Sequence, residues 1–103
     1  MTYKLKLAEP AEADLIDIGM YITHILHSPV AALNLIDEID KHIVSLEQMP
    51  KRYALVSDER LAMQGVRAIP VKNYLIFYIV DDFMKSVTII RVLYGKRDWV
   101  SLL

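Results

Sequence analysis

Val87-Thr88-Ile89-Ile90-Arg91-Val92-Leu93-Tyr94 reads as a strand buried on both faces, and Gly95-Lys96-Arg97-Asp98-Trp99 follows it directly. Seven of the eight residues in the first stretch are β-branched, aromatic or Leu, the composition a doubly covered strand requires. Arg91 is the exception, and a charge among such neighbours needs a partner. Gly95 ends the run. Lys96 and Arg97 then gather beside Tyr94 and Trp99, so a buried sheet delivers a cationic, aromatic cluster to the end of the chain. Working outward from this strand, the remaining elements read as its support.

Two further strands precede it. Val66 to Val71 and Tyr74 to Val80 are rich in β-branched and aromatic residues, with Lys72-Asn73 as a tight turn between them and Asp81 to Ser86 as a looser turn before Val87. Pro70 cannot donate a ladder hydrogen bond, so the strand from Val66 is expected at an edge or to end there. At the other end of the sequence, Tyr3, Leu5 and Leu7 alternate with Thr2, Lys4 and Lys6, the period of a strand with one face in a core.

Between them lie two helices. Pro10 suits a first helical turn, and Leu15, Ile18, Ile22 and Ile25 recur at helical spacing, which predicts a helix over about 10–26. Ser28-Pro29 opens a second helix with a predicted apolar stripe of Leu33, Ile36, Ile39, Ile43 and Leu46, leaving Asp37, Glu38, Asp40 and Lys41 outward. So short a link makes the pair an antiparallel hairpin. Pro50 stops the second helix, and residues 51–65 read as irregular with one helical turn near 58–62. The predicted fold is α+β: an N-terminal strand and a helical hairpin packed on a small antiparallel sheet that a C-terminal three-strand meander completes. Residues 1–103 are expected to form one domain.

Composition narrows the function classes. A hydrophobic fraction of 54% and a positive mean hydropathy of +0.29 suggest a core plus an apolar surface meant for a partner. No apolar run is long enough to cross a bilayer, no signal-peptide core is evident and cysteine is absent, which together predict a cytoplasmic protein without membrane association. Charge is divided unevenly: residues 1–50 carry 3 Lys/Arg against 8 Asp/Glu, and residues 51–103 carry 9 against 5, so the second half is the anion-facing one. With Gly only at 19, 65 and 95, no phosphate-cradling loop is readable and no cofactor is expected. His24, His27 and His42 fall on the helical hairpin with no third ligand in evidence, so no metal site is expected either.

Five landmarks stand in order: Ala11-Glu12-Ala13-Asp14-Leu15, Leu46-Glu47-Gln48-Met49-Pro50, Gly65-Val66-Arg67, Asn73-Tyr74-Leu75-Ile76-Phe77-Tyr78, and Ile90-Arg91-Val92-Leu93-Tyr94-Gly95-Lys96-Arg97-Asp98. Together they resemble the RelE/ParE superfamily of toxins from bacterial type II toxin-antitoxin systems, across essentially the whole chain. The resemblance implies a growth-inhibiting toxin, also associated with plasmid stabilisation, that a cognate antitoxin neutralises. It implies a homodimer or a toxin-antitoxin heterotetramer as the assembly. RelE-type members cut messenger RNA on the ribosome, whereas ParE-type members poison DNA gyrase. Leu75 falls where RelE nucleases carry a catalytic arginine, and the tyrosine of a longer RelE tail has no evident counterpart. The short ending after Arg91-Val92-Leu93-Tyr94 looks more like ParE. Gyrase is therefore the expected target; the alternatives are a ribosome-dependent messenger ribonuclease or an inactive antitoxin-binding member.

Candidate site residues follow from both readings. Lys96, Arg97 and Trp99 on the tail, Tyr94 at the strand end, Arg67, and Lys51-Arg52 are target-binding candidates; in a ribonuclease, Arg67, Arg97 and Tyr94 would be catalytic. Those outside the tail also have a structural reading. Arg67 suits a target contact or a pair with a carboxylate at the core edge, Tyr94 suits a core plug with a wet hydroxyl, and Lys51-Arg52 suits a solvated loop. Arg91 is expected to form a structural ion pair with Asp14 or Asp17.

Overall fold

A computed structural model describes residues 2–103. Strand β1 (Lys4–Leu7) leads into helix α1 (Glu9–Met20), whose last part widens into a π-helical turn at Tyr21–Ile25 before helix α2 (Pro29–Ser45). A short helix α3 (Glu59–Met63) precedes β2 (Val66–Val71), β3 (Tyr74–Asp81) and β4 (Ser86–Tyr94), and a final short helix α4 spans Trp99–Leu102. The strands form one sheet in the order β1-β4-β3-β2. As Pro70 requires, β2 lies at an edge.

The sheet is mixed rather than wholly antiparallel. β2, β3 and β4 form the expected antiparallel meander, but β1 pairs with β4 in parallel, Lys4 opposite Ser86 and Leu7 opposite Ile89. Direction follows from connectivity: the long αα excursion between β1 and the meander lets β1 run either way, whereas a two-residue turn forces its strands antiparallel.

The hairpin of α1 and α2 covers one face. Ala11, Ile18 and Ile22 from the first helix and Ala32, Leu35, Ile39 and Ile43 from the second meet Ile69, Ile76, Tyr78, Val87, Ile89 and Val92 of the sheet. Two expected stripe residues fall elsewhere. Leu33 is 71% exposed and Ile25 62%, because the buried stripe of α2 runs through Ala32 and Leu35, and the π-turn rotates the end of α1. The opposite face, left uncovered in the sequence reading, has its own core: Leu61 of α3, Val66, Phe77 and Leu93, closed by Trp99, Val100 and Leu103. This second layer is why β4 is buried on both sides.

A bulge lets β4 serve both layers. Phe77 pairs with Arg91 and Tyr78 with Ile89, so Ile90 has no residue opposite it. The extra residue shifts the side-chain alternation, and both Ile89 and Val92 reach the helical face. Beyond Ile89, β1 has departed and β4 has a free edge. Asp14 of α1 occupies that edge: its carboxylate accepts from the Val92 N–H at 2.9 Å, from Arg91 Nε at 2.7 Å and from Arg91 Nη2 at 2.8 Å. The pair foreseen for Arg91 thus forms with Asp14, while Asp17 stays exposed.

Candidate functional site

Where β4 ends, the chain turns sharply. The Gly95 N–H donates to the Asn73 carbonyl at 2.7 Å, and the Arg97 N–H to the Tyr94 carbonyl at 3.0 Å. A Cβ at Gly95 would sit 3.3 Å from that Asn73 oxygen, so the residue is small for close approach of backbone to backbone. The turn leaves Lys96 and Arg97 exposed, and among the described residues neither pairs with a carboxylate. Trp99, expected beside them as a target contact, instead folds back onto Phe77 with ring centroids 5.2 Å apart. An indole beyond a strand end finds lower free energy against apolar surface than in water, and it closes the second core.

Tyr94 borders a cleft of about 850 Å³ between the end of β4 and the helical hairpin. Tyr21, Tyr74 and Tyr94 give it an aromatic wall, with Leu26, Arg97 and Lys72 among its lining. Tyr74 and Tyr94 meet edge to face at 5.7 Å. Burial, and then the neighbouring Tyr21 and Tyr94, push the Tyr74 hydroxyl above the usual tyrosine range, so it remains a neutral hydrogen-bond donor. Tyr21 was not singled out in the sequence, where it sits in an unremarkable helical run; it opens the π-turn and lines the cleft opposite the end of β4.

The other candidates lie further along the sheet. Arg67 pairs with Tyr78, four positions along β3 from Tyr74 and so about 13 Å from the cleft end. Its guanidinium donates to the Tyr53 carbonyl at 2.7 Å and the Lys51 carbonyl at 3.3 Å, not to a carboxylate. Carbonyls at the end of the helical turn at 50–52 lack an intrahelical partner, and Nη1 of the guanidinium reaches two in this loop. Lys51 is paired with Asp82, whose carboxyl is held below its usual range by hydrogen bonds from Lys51 and Tyr3. Arg52 bonds the Ser45 hydroxyl and lies 5.3 Å over the Tyr53 ring. Arg67 and Lys51 thus tie the loop after α2 to the sheet and its β3–β4 turn, and Arg52 ties it back to the end of α2. Beneath it, the buried Tyr78 hydroxyl donates to the Pro50 carbonyl at 2.6 Å. Among the histidines, His42 bonds the Glu38 carbonyl through Nδ1 at 2.9 Å, and no cluster of three potential metal ligands exists among the described residues.

Comparison with known proteins agrees with this geometry. No curated protein matches the sequence significantly. The structure is similar to that of the chromosomal ParDE toxin-antitoxin system from P. aeruginosa, at 24% identity and a TM-score of 0.74 over 92% of this chain and 98% of that one. It is similar to the RelBE2 toxin-antitoxin complex from Mycobacterium tuberculosis at 18% identity and a TM-score of 0.68, over 91% and 99%. A doubly arginine-substituted E. coli toxin RelE in the free state gives 19% and 0.70, over 99% and 93%. At these identities the structural likenesses establish the fold. The model of the ParE toxin of the type II toxin-antitoxin system parDE matches residues 5–99, and the chain belongs to that family within the RelE/ParE superfamily.

Proposed function

We propose that this toxin inhibits growth by binding DNA gyrase and is silenced by a cognate antitoxin seated across the helical hairpin and sheet edge. The family match over residues 5–99 carries the reading. Geometry supports it against the ribonuclease alternative. Cleaving a phosphodiester requires cations aimed at the charge that develops on phosphorus. Here Arg67, Lys51 and Arg52 are spent on loop carbonyls, a carboxylate and a hydroxyl, and Leu75 packs in the apolar second core. Lys96 and Arg97 carry no side-chain hydrogen bond or ion pair among the described residues, and we assign them to the target contact together with Tyr94 at the cleft mouth.

The test runs gyrase supercoiling and primer extension on translated message with the same purified chain. Loss of supercoiling with intact message is expected; codon-dependent cuts with untouched supercoiling would overturn the assignment. Replacing Lys96 and Arg97 together by Ala should abolish growth inhibition while the melting temperature holds, because exposed side chains outside the core change stability by no more than about 0.5 kcal/mol. The product of the neighbouring antitoxin gene should raise the melting temperature of the wild type.

A further inference from the structure

The cleft between the helical hairpin and the end of β4 has two walls of opposite charge. The sheet side carries Lys72, in the β2–β3 turn, and Arg97, just past β4. Both are exposed, and neither has a side-chain hydrogen bond or ion pair among the described residues. The helical side carries two carboxylates. Asp14 is committed to Arg91 and the Val92 N–H, which leaves Asp17, exposed on α1, as the carboxylate open to a ligand.

Tyr21, Tyr74 and Tyr94 line the same space. The planes of Tyr74 and Tyr94 meet at 76°, so the two rings form a corner instead of stacking on each other. A corner of this kind can seat a third, planar ring. Burial holds the Tyr74 hydroxyl above its usual range, so it stays neutral and adds no negative charge to the site. The cavity volume of about 850 Å³ lies within the range of small-molecule sites, about 300–1,000 Å³.

This layout selects among occupants. An extended peptide adding to the edge of β4 needs the Val92 N–H, which Asp14 already holds. An apolar side chain would leave two cations and a carboxylate covered without partners. A polyanion lying along the cleft would meet Asp17. What matches is a small molecule with an anion at one end, a flat ring, and an N–H donor at the other end. We propose that the cleft binds a nucleotide whose base carries an exocyclic amino group, as adenine does: phosphate on Lys72 and Arg97, base in the tyrosine corner, amino group donating to Asp17. Two side-chain cations take the part that a glycine-rich loop plays in other nucleotide sites, and the chain has no such loop. The site shares Arg97 and Tyr94 with the target contact assigned above. Its binding is measured without the target, so failure of either assignment leaves the other standing.

Calorimetric titration of the purified full chain with adenosine monophosphate at about 0.15 M salt tests it. One site per chain is expected. Lys72→Ala and Arg97→Ala should each weaken the monophosphate about tenfold and leave unphosphorylated adenosine unchanged. Inosine monophosphate, with a carbonyl oxygen where adenine has its amino group, should bind about tenfold more weakly than adenosine monophosphate, and Asp17→Asn should erase that preference. Melting temperatures should match the wild type, because the three substituted side chains are exposed. Lys85→Ala, which removes a cation before the other end of β4, should leave binding alone. Absence of binding at millimolar nucleotide, equal affinity for inorganic phosphate or inosine monophosphate, or an equal loss with Lys85→Ala overturns the proposal.

Discussion

The Asp14 carboxylate performs two tasks at once: it is the counter-ion of Arg91 and it replaces the backbone acceptor that β1 would have supplied to Val92 had it run further. Hydrogen bonding to Asp14 raises the Arg91 pKa, which favours the charged guanidinium. With side-chain exposures of 22% for Arg91 and 10% for Asp14, removing the cation strands a nearly buried anion. Arg91→Ala should therefore cost about 3 kcal/mol in urea unfolding, and lose toxicity through instability. Asp14→Asn keeps an acceptor for Val92 and should cost less than Asp14→Ala. A stable but inactive Arg91→Ala chain would instead place Arg91 in the target-binding surface. Tyr78 gives a pH test. Burial is the main cause that pushes its hydroxyl from 10.0 up to about 12, so the unfolded chain releases this proton at lower pH than the folded one. Stability from this group is complete below pH 10 and is lost as pH rises toward about 12. Tyr78→Phe should flatten that slope, at a cost of about 1 kcal/mol at neutral pH for the bond to Pro50.

The short C-terminal helix α4 separates packing from function within a few residues. Trp99→Ala should lower stability by about 2 kcal/mol by opening the second core, while Lys96→Ala and Arg97→Ala should leave it unchanged and weaken growth inhibition; paired melting and growth assays distinguish the two classes. Sequence alone placed Trp99 with the cations because an aromatic next to basic residues carries the same composition whether it faces a target or a core. The strands, the αα-hairpin and the edge position of β2 were legible because periodicity, Pro70 and the Lys72-Asn73 turn are local signals. What escaped was nonlocal. The parallel direction of β1, the bulge at Ile90 and the packing of α3 and α4 against the far face depend on register between distant segments. Arg67, Lys51 and Arg52 likewise read as free cations until the loop carbonyls, Asp82 and Ser45 beside them were in view.

Across the whole molecule, two apolar layers share one sheet, and β4 contributes to both: Ile89 and Val92 on the helical side, Leu93 on the side of Trp99. Neither layer can lose its packing without exposing the other's strand. The chain should consequently unfold in a single transition, although its layers are built from different helices. The sequence supplies its own probe, since its single tryptophan lies in the second layer and most helical residues lie in the first. Trp99 fluorescence and the far-ultraviolet helical signal should melt together. Leu93→Ala, which opens a cavity only on the Trp99 side, should cost about 3 kcal/mol and shift both signals equally, by about 4–8 °C for each kcal/mol in a domain of this size. Fluorescence that changes well before the helical signal would mean that α4 and its layer detach on their own. The second core would then be an independently opening unit, and the exposure of Lys96 and Arg97 would depend on whether it is closed.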